Sequence, residues 1–240
     1  MQTFLINLDK DKDRLIAADT QLKRLGITYE RFPAVYAKEM SKIERNSKVN
    51  HFRLWCCLGR ELLPGEIGCA LSHYTLFQKM IAENIQYACI LEDDIVLKEN
   101  FKVTMEKVEK WLDVSKPQVV LLSNHTNEPE DGEDIREVSN GLCTESYILT
   151  LFAAKALLKE NLPICVPCDH WGRWVKSGVI KLYLTIPSVC TQDWTGFESN
   201  MSDSANIQKV SDLPFFMCMM HNLKRLIGKS IDKFLCAVGK

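Results

Sequence analysis

Three acidic residues in a row, Glu92, Asp93 and Asp94, follow the apolar run Ala88-Cys89-Ile90-Leu91 and precede a second one, Ile95-Val96-Leu97. Adjacent carboxylates repel, and desolvating even one is costly unless something cationic compensates. Oxygen ligands suit a hard cation such as Mn²⁺ or Mg²⁺, which takes one or two protein carboxylates and completes its shell with water and substrate phosphates. A short acidic turn at a strand end therefore fits a metal–diphosphate site. The plainer alternative is an acidic turn leading into a solvated loop, since strands often end in Asp. The apolar residues on both sides favour the cation site, because they hold the turn against a sheet. Two rival phosphate chemistries fit poorly. An aspartyl-phosphatase needs an Asp where Glu92 stands. A phospho-receiver domain keeps its acidic pair near the start of the chain, and a lone Asp ends a later strand, where "VVLLSN" has Ser123. The chain also lacks a Gly-rich phosphate loop and a dinucleotide fingerprint.

The elements around the acidic turn must put it at the carboxyl end of a strand, where open α/β sheets bind ligands. "TFLINL" reads as a first buried strand. A helix follows, with Leu15, Ala18, Leu22 and Leu25 at helical spacing and Gly26 at its end. "TYERF" resumes extended structure before Pro33. Strand, helix, strand is the unit of a parallel sheet. Residues 37–63 have no clean period and read as a partly helical insertion at the surface. Pro64 suits the first turn of a strong helix with Ile67, Leu71, Tyr74, Phe77 and Ile81 along one face. After the acidic strand come the helix "ENFKVTMEKVEKWL", the strand "QVVLLS", a polar loop over 124–141, the strand "SYILT" and the helix "LFAAKALLKEN". "HWGRWVKSG" reads as helix, "VIKLYLTIP" as strand, and 188–213 as polar and irregular. The class is α/β with a mainly parallel central sheet. We expect one domain over 1–213 and an amphipathic helix over 214–240.

In that last segment Leu223, Leu226, Ile227, Ile231, Phe234, Leu235 and Val238 share one side, while five basic residues face a single acid, Asp232. Such a helix suits either an anionic membrane surface or the flank of the domain. Length and charge narrow the rest. The 240 residues suit one domain with an insertion, and a net charge of −1 offers no field for nucleic acid. The N-terminus lacks the basic start and long apolar run of a signal peptide, and no run of about 18 apolar residues would span a membrane. We expect a cytoplasmic chain whose 10 cysteines are free thiols. "CVPC", from Cys165 to Cys168, has redox or metal spacing, but one pair without a second is weak and reads as structural.

"FLINLDKDKDR", "LLPGEIGCALSHYTLFQKMI", "YACILEDDIVL" and "SYILTLFAAKALL" stand in the order found in glycosyltransferase family 25. That family's bacterial members build lipooligosaccharide, and its animal relatives galactosylate collagen. The chain resembles it from about residue 3 to about residue 200, and Gly68-Cys69, Ser72-His73 and Glu92-Asp93-Asp94 together make the match specific. The resemblance implies a single Rossmann-like nucleotide-sugar transferase domain of GT-A type. It implies inverting transfer of galactose, or sometimes glucose, from a UDP-sugar to a hydroxyl of a surface-glycan acceptor. Asp94 would bind Mn²⁺ or Mg²⁺, and Glu92 and Asp93 would face the ribose or the donor sugar. Asn7 and Arg14 would border the nucleotide, although Arg14 also suits a solvated helix face. Ser72 and His73 would lie on the donor side, although a lone helix histidine is more often simply satisfied. Asp169, in "VPCDHWGRW", would open a helix facing the donor and act as the base; its plainer role is a helix N-cap, and His170 and Glu145 are rivals. "LCTESY" replaces a stretch in which relatives carry no charge, so Glu145 bears on the choice of sugar and acceptor. A catalytically weak nucleotide-sugar or partner-binding module is the alternative function.

Overall fold

The computed structural model describes residues 1–193 except Asn127 and Glu133. The 214–240 segment, expected to form the basic helix, lies outside the described residues. Seven strands form one sheet in the order β2-β1-β3-β7-β5-β8-β6. They are β1 (Gln2–Asn7), β2 (Glu30–Pro33), β3 (Tyr87–Glu92), β5 (Gln118–Leu121), β6 (Asp134–Glu137), β7 (Ser146–Thr150) and β8 (Lys181–Ile186). The pairs β1–β2, β1–β3 and β5–β8 are parallel, whereas β7 runs antiparallel between β3 and β5, and β6 antiparallel to β8. The sheet is thus mixed but mostly parallel, with two of its seven strands reversed.

The inner strands β1, β3, β5, β7 and β8 read as largely apolar because helices cover both faces of the sheet. Phe4, Ile6, Ala88 and Ile90 point into one core, together with side chains of α3 (His51–Leu58), α4 (Pro64–Ala82), α6 (Leu151–Asn161) and α7 (Trp171–Lys176). Leu5, Cys89 and Leu91 point into the other, against α1 (Lys12–Arg24) and α5 (Phe101–Trp111). Period-2 alternation therefore distributes apolar residues between two cores without leaving a wet face.

The structure departs from the sequence reading in four places. The 37–63 insertion is helical, as α2 (Lys42–Ser47) and α3, but it is not confined to the surface: Leu54, Trp55 and Cys56 of α3 are buried. The polar 124–141 stretch contains the edge strand β6, whose half-buried pattern belongs to a strand with one neighbour. The irregular 188–213 stretch begins with β9 (Cys190–Gln192), which pairs with β4 (Ile95–Leu97) in an antiparallel ribbon. Finally, α4 buries more than one stripe. Gly68, Ala70, Ser72, His73, Leu76 and Met80 are buried alongside Ile67, Tyr74 and Phe77, while Ile81 is 37% exposed.

That wide burial has a close-packed cause. Gly68 lies so near the loop after β2 that an added Cβ would stand 2.6 Å from the Val35 carbonyl oxygen. One turn on, the Ser72 hydroxyl donates to the Gly68 carbonyl at 2.7 Å and accepts from the Val35 N–H at 2.8 Å. Backbone cannot yield as a flexible side chain does, so Gly68→Ala should cost roughly 1–3 kcal/mol by overpacking. Chemical denaturation checks this, and an unchanged midpoint would contradict the packing.

Candidate active site

Parallel β1 and β3 end side by side, with Ile6 in register with Glu92. Asn7 and the acidic turn therefore meet at one rim. The reversed β7 brings a third segment to the same rim, because its start lies beside the end of β3: the Glu92 N–H donates to the Glu145 carbonyl at 2.9 Å. A cavity of about 460 Å³ opens there. Asn7, Arg14, Ser72 and His73 line it, and so do Glu92, Asp93, Asp94 and Asp169. All the residues singled out from the sequence thus share one cavity, together with Glu145 and His170.

Each acid of the turn has different partners. Asp93 accepts from Asn7 Nδ2 at 2.7 Å and from Arg14 Nη1 at 3.2 Å. Asn7 is in turn fixed by Arg31 Nε, which donates to its Oδ1 at 2.9 Å. Asp94 Oδ2 accepts from Arg14 Nη1 at 3.3 Å and from Gln192 Nε2 at 2.9 Å. Asp94 Oδ1 is buried with no hydrogen-bond partner. Glu92 Oε1 lies 3.2 Å from His73 Nε2 and accepts from the Thr144 hydroxyl at 2.5 Å. Arg14 is thus no solvated helix residue, because its guanidinium spans two of the three carboxylates.

These partners set the charge states. Burial works against the Glu92 carboxylate, but His73, Thr144 and Arg14 outweigh it and hold its pKa below the usual range. Burial raises Asp93, and Asn7 and Arg14 only partly offset that. Burial, the Glu92 charge and the Asp93 charge push Asp94 up to about 7, against Gln192 and Arg14. Burial disfavours a charged His73, but bonds to Cys69 and Glu92 overcome it and lift the imidazole to about 10. The Cys69 thiol is itself raised, first by Cys168 and then by burial, so we assign the proton on His73 chiefly to Glu92.

The opposite wall is the loop that carries Asp169. Asn161, at the end of α6, accepts from Cys165 N at 2.9 Å and Val166 N at 3.1 Å, and donates to the Val166 carbonyl at 2.9 Å. Trp171 Nε1 ties the start of α7 to the Cys143 carbonyl at 2.7 Å. The N-cap of α7 is His170, with no side-chain capping bond, so Asp169 is not the cap expected from its place after Pro167. Its carboxyl is raised by burial, against the nearby His170 and a bond from the Cys143 backbone. Burial lowers the His170 imidazole. Glu145 is buried and meets His125 Nε2 at 2.5 Å, a pairing that raises His125.

The sequence reading missed several of these groups. Arg60, paired with Glu66 at 2.6 and 2.8 Å, lines the cavity from the end of the insertion. Thr144 and Gln192 hold two of the three acids, and both lie in stretches without periodicity. No pattern in the sequence singles out either; the antiparallel pairing of β9 with β4 places Gln192 opposite Ile95.

The sequence model of glycosyltransferase family 25, described as LPS biosynthesis protein, matches residues 1–171. The chain belongs to glycosyltransferase family 25. Its match takes in both walls of the cavity up to Trp171. A glycosyltransferase 25 family member of Anopheles gambiae is 24% identical over 87% of this chain and 40% of its own length. A procollagen galactosyltransferase 1-B of Xenopus laevis is 28% identical over 71% of this chain and 30% of its own length. A putative glycosyltransferase of Haemophilus influenzae is 27% identical over 84% of this chain and 74% of its own length. The chain thus spans less than half of the first and second of these, and most of the third. A single domain with helices on both sides of a mostly parallel sheet agrees with the fold that the family resemblance implied.

A buried, raised carboxylate destabilises the folded state once it ionises. The folded pKa of Asp94 lies above its ordinary 3.8, so the stability present below pH 3.8 is lost as pH rises through about 7. In chelator-treated protein Asp94→Asn should therefore be more stable than wild type by roughly 1–3 kcal/mol at the alkaline end of that window, with the difference vanishing at the acid end. Thermal denaturation against pH measures this, and a variant less stable throughout would refute it.

Proposed function

We propose that the chain is a metal-dependent inverting hexosyltransferase. It would move galactose, or glucose as second choice, from a UDP-sugar to a hydroxyl of a lipooligosaccharide or other surface-glycan acceptor. The observation that carries the reading is the unpartnered, buried Asp94 Oδ1 in a cavity that also holds Glu92, Asp93 and Asp169. An orphaned carboxylate oxygen beside two further acids fits a hard divalent cation better than it fits a purely structural role. Asp94 would hold Mn²⁺ or Mg²⁺, whose charge, when the ion is bound, offsets that of the donor diphosphate.

The other roles follow from reach. Asn7 and Arg14 keep Asp93 oriented at the rim, where it can accept a ribose or sugar hydroxyl. His73 does the same for Glu92, and Ser72 shapes the pocket by holding the loop after β2. Asp169, on the facing wall, is the base. As the acceptor oxygen bonds to the anomeric carbon, its proton passes to the Asp169 carboxylate, and the bond to the UDP oxygen breaks with inversion. A positioned base contributes roughly 10²–10⁴-fold in rate.

Asp169→Asn keeps an oxygen for the Cys143 N–H and cannot take the proton. It should fold and bind UDP-sugar near normally while transfer falls by about two orders of magnitude or more. Wild-type rates would move the role to His170 or Glu145. A donor screen with added Mn²⁺, reading which UDP-sugar is consumed, separates this reading from a binding module, which would bind without turnover.

No helix among the described residues is long and apolar enough to cross a membrane. We propose a cytoplasmic enzyme with 1–213 as the transferase domain and the basic 214–240 segment serving either as a flank of that domain or as a contact with anionic lipid near a lipid-linked acceptor. Truncation after Phe216 should abolish flotation with anionic vesicles; retained flotation removes that role.

A further inference from the structure

The wall between α4 and the Asp169 loop carries a cluster whose two thiols the transfer reaction does not use. Cys69 and His73 lie four residues apart on α4, one turn of helix, so their side chains share a face. Cys168 approaches from the loop, with its Sγ 3.4 Å from that of Cys69. One donor atom from each of Cys69, His73 and Cys168 lies within 4.8 Å of the others. The CVPC pair is split between two environments: Cys165 Sγ bonds Asn161 Oδ1 at 3.2 Å, while Cys168 turns to α4.

We propose that Cys69, His73 and Cys168 bind a thiophilic divalent cation of the zinc class, with the fourth position left to solvent, at a site distinct from the oxygen site at Asp94. Tetrahedral zinc with Zn–S near 2.3 Å sets its sulfurs about 3.8 Å apart, and a sulfur and an imidazole nitrogen about 3.6 Å apart. The observed 3.4 Å between the sulfurs needs only a few tenths of an ångström of adjustment. The supporting bonds are in place. Tyr147 OH lies 2.7 Å from His73 Nδ1, which leaves Nε2 as the nitrogen available to an ion; ligating histidines are commonly fixed by such a bond at the other nitrogen. Glu92 Oε1 is 3.2 Å from that Nε2 and is steadied by Thr144. On binding, the thiol protons and any proton on Nε2 pass to solvent, and no oxidant is required. Thiolates select a soft ion and carboxylates a hard one, so neighbouring sites sort cations by donor type.

Occupation joins α4 to the residue that precedes Asp169 and takes His73 Nε2 away from Glu92. On the transferase reading above, that lowers transfer; the binding itself does not depend on that reading. The test is a titration of the full, reduced, chelator-stripped chain with Co²⁺. One equivalent should bring up thiolate-to-cobalt charge-transfer absorption that Zn²⁺ displaces and Mn²⁺ does not. Cys69→Ser and Cys168→Ser should each weaken binding at least about tenfold, whereas Cys165→Ser and Asp94→Asn should keep the absorption. No such absorption in wild type overturns the proposal, as does equal absorption in folded Cys168→Ser. A Cys69–Cys168 pair that oxidises to a disulfide and binds no Co²⁺ once reduced overturns it too. UDP-sugar turnover with Mn²⁺, measured on the same preparation, keeps the two readings apart: turnover without cobalt binding sinks only this one, and the reverse sinks only the transferase.

Discussion

Three consecutive carboxylates at the end of a buried strand cannot share one environment without severe repulsion, and the fold gives each its own partners. Glu92 turns to His73 and Thr144, Asp93 to Asn7 and Arg14, and Asp94 to Arg14 and Gln192. Only Asp94 keeps a buried oxygen without a partner. Five residues from five separate stretches of chain are therefore committed to one turn. The parallel pairing of β1 and β3, the reversed β7 and the β4–β9 ribbon all act to deliver them.

The same commitment explains why polar residues occupy otherwise apolar elements. His73 sits in a helix whose neighbours are buried apolar side chains, and it is tolerated because both ring nitrogens are matched, one by Tyr147 and one by Glu92. Ser72 is tolerated because it bonds within its own helix and to the loop after β2. Asn161 is fully buried and binds the loop that leads to Asp169. A buried polar group without such partners would cost on the order of 1–3 kcal/mol. The network around the cavity is thus part of what holds the cavity in shape.

Charge is graded across that cavity. Glu92 is held ionised, Asp94 is pushed towards neutrality, and Asp169 and His170 are shifted by burial in opposite directions. A site that separates the protonation tendencies of nearby acids has groups suited to different tasks, such as cation binding, orientation and proton transfer. The thiol and imidazole cluster beside it adds a donor set of different softness on the same wall.

The sequence by itself determined the class of fold and, with the family resemblance, named residues that line one cavity. Apolar runs without a polar face require a sheet covered on both sides, and alternation with amphipathic helices requires largely parallel strands. The acidic turn was legible from its place at the end of an apolar run, whereas Asn7, Arg14, Ser72, His73 and Asp169 came from the resemblance to glycosyltransferase family 25 and not from local pattern. Tertiary structure decided what local pattern does not encode. The direction of β7 could not be read from "SYILT", because a buried strand has the same composition in either orientation, yet that direction brings Thr144 and Glu145 to Glu92. The burial of α3, the pairing of β9 and the approach of Cys168 to Cys69 depend on contacts between residues 75 to 99 positions apart or on packing by distant elements. Periodicity reports which face of an element is apolar. Only the packed chain reports which distant element that face meets.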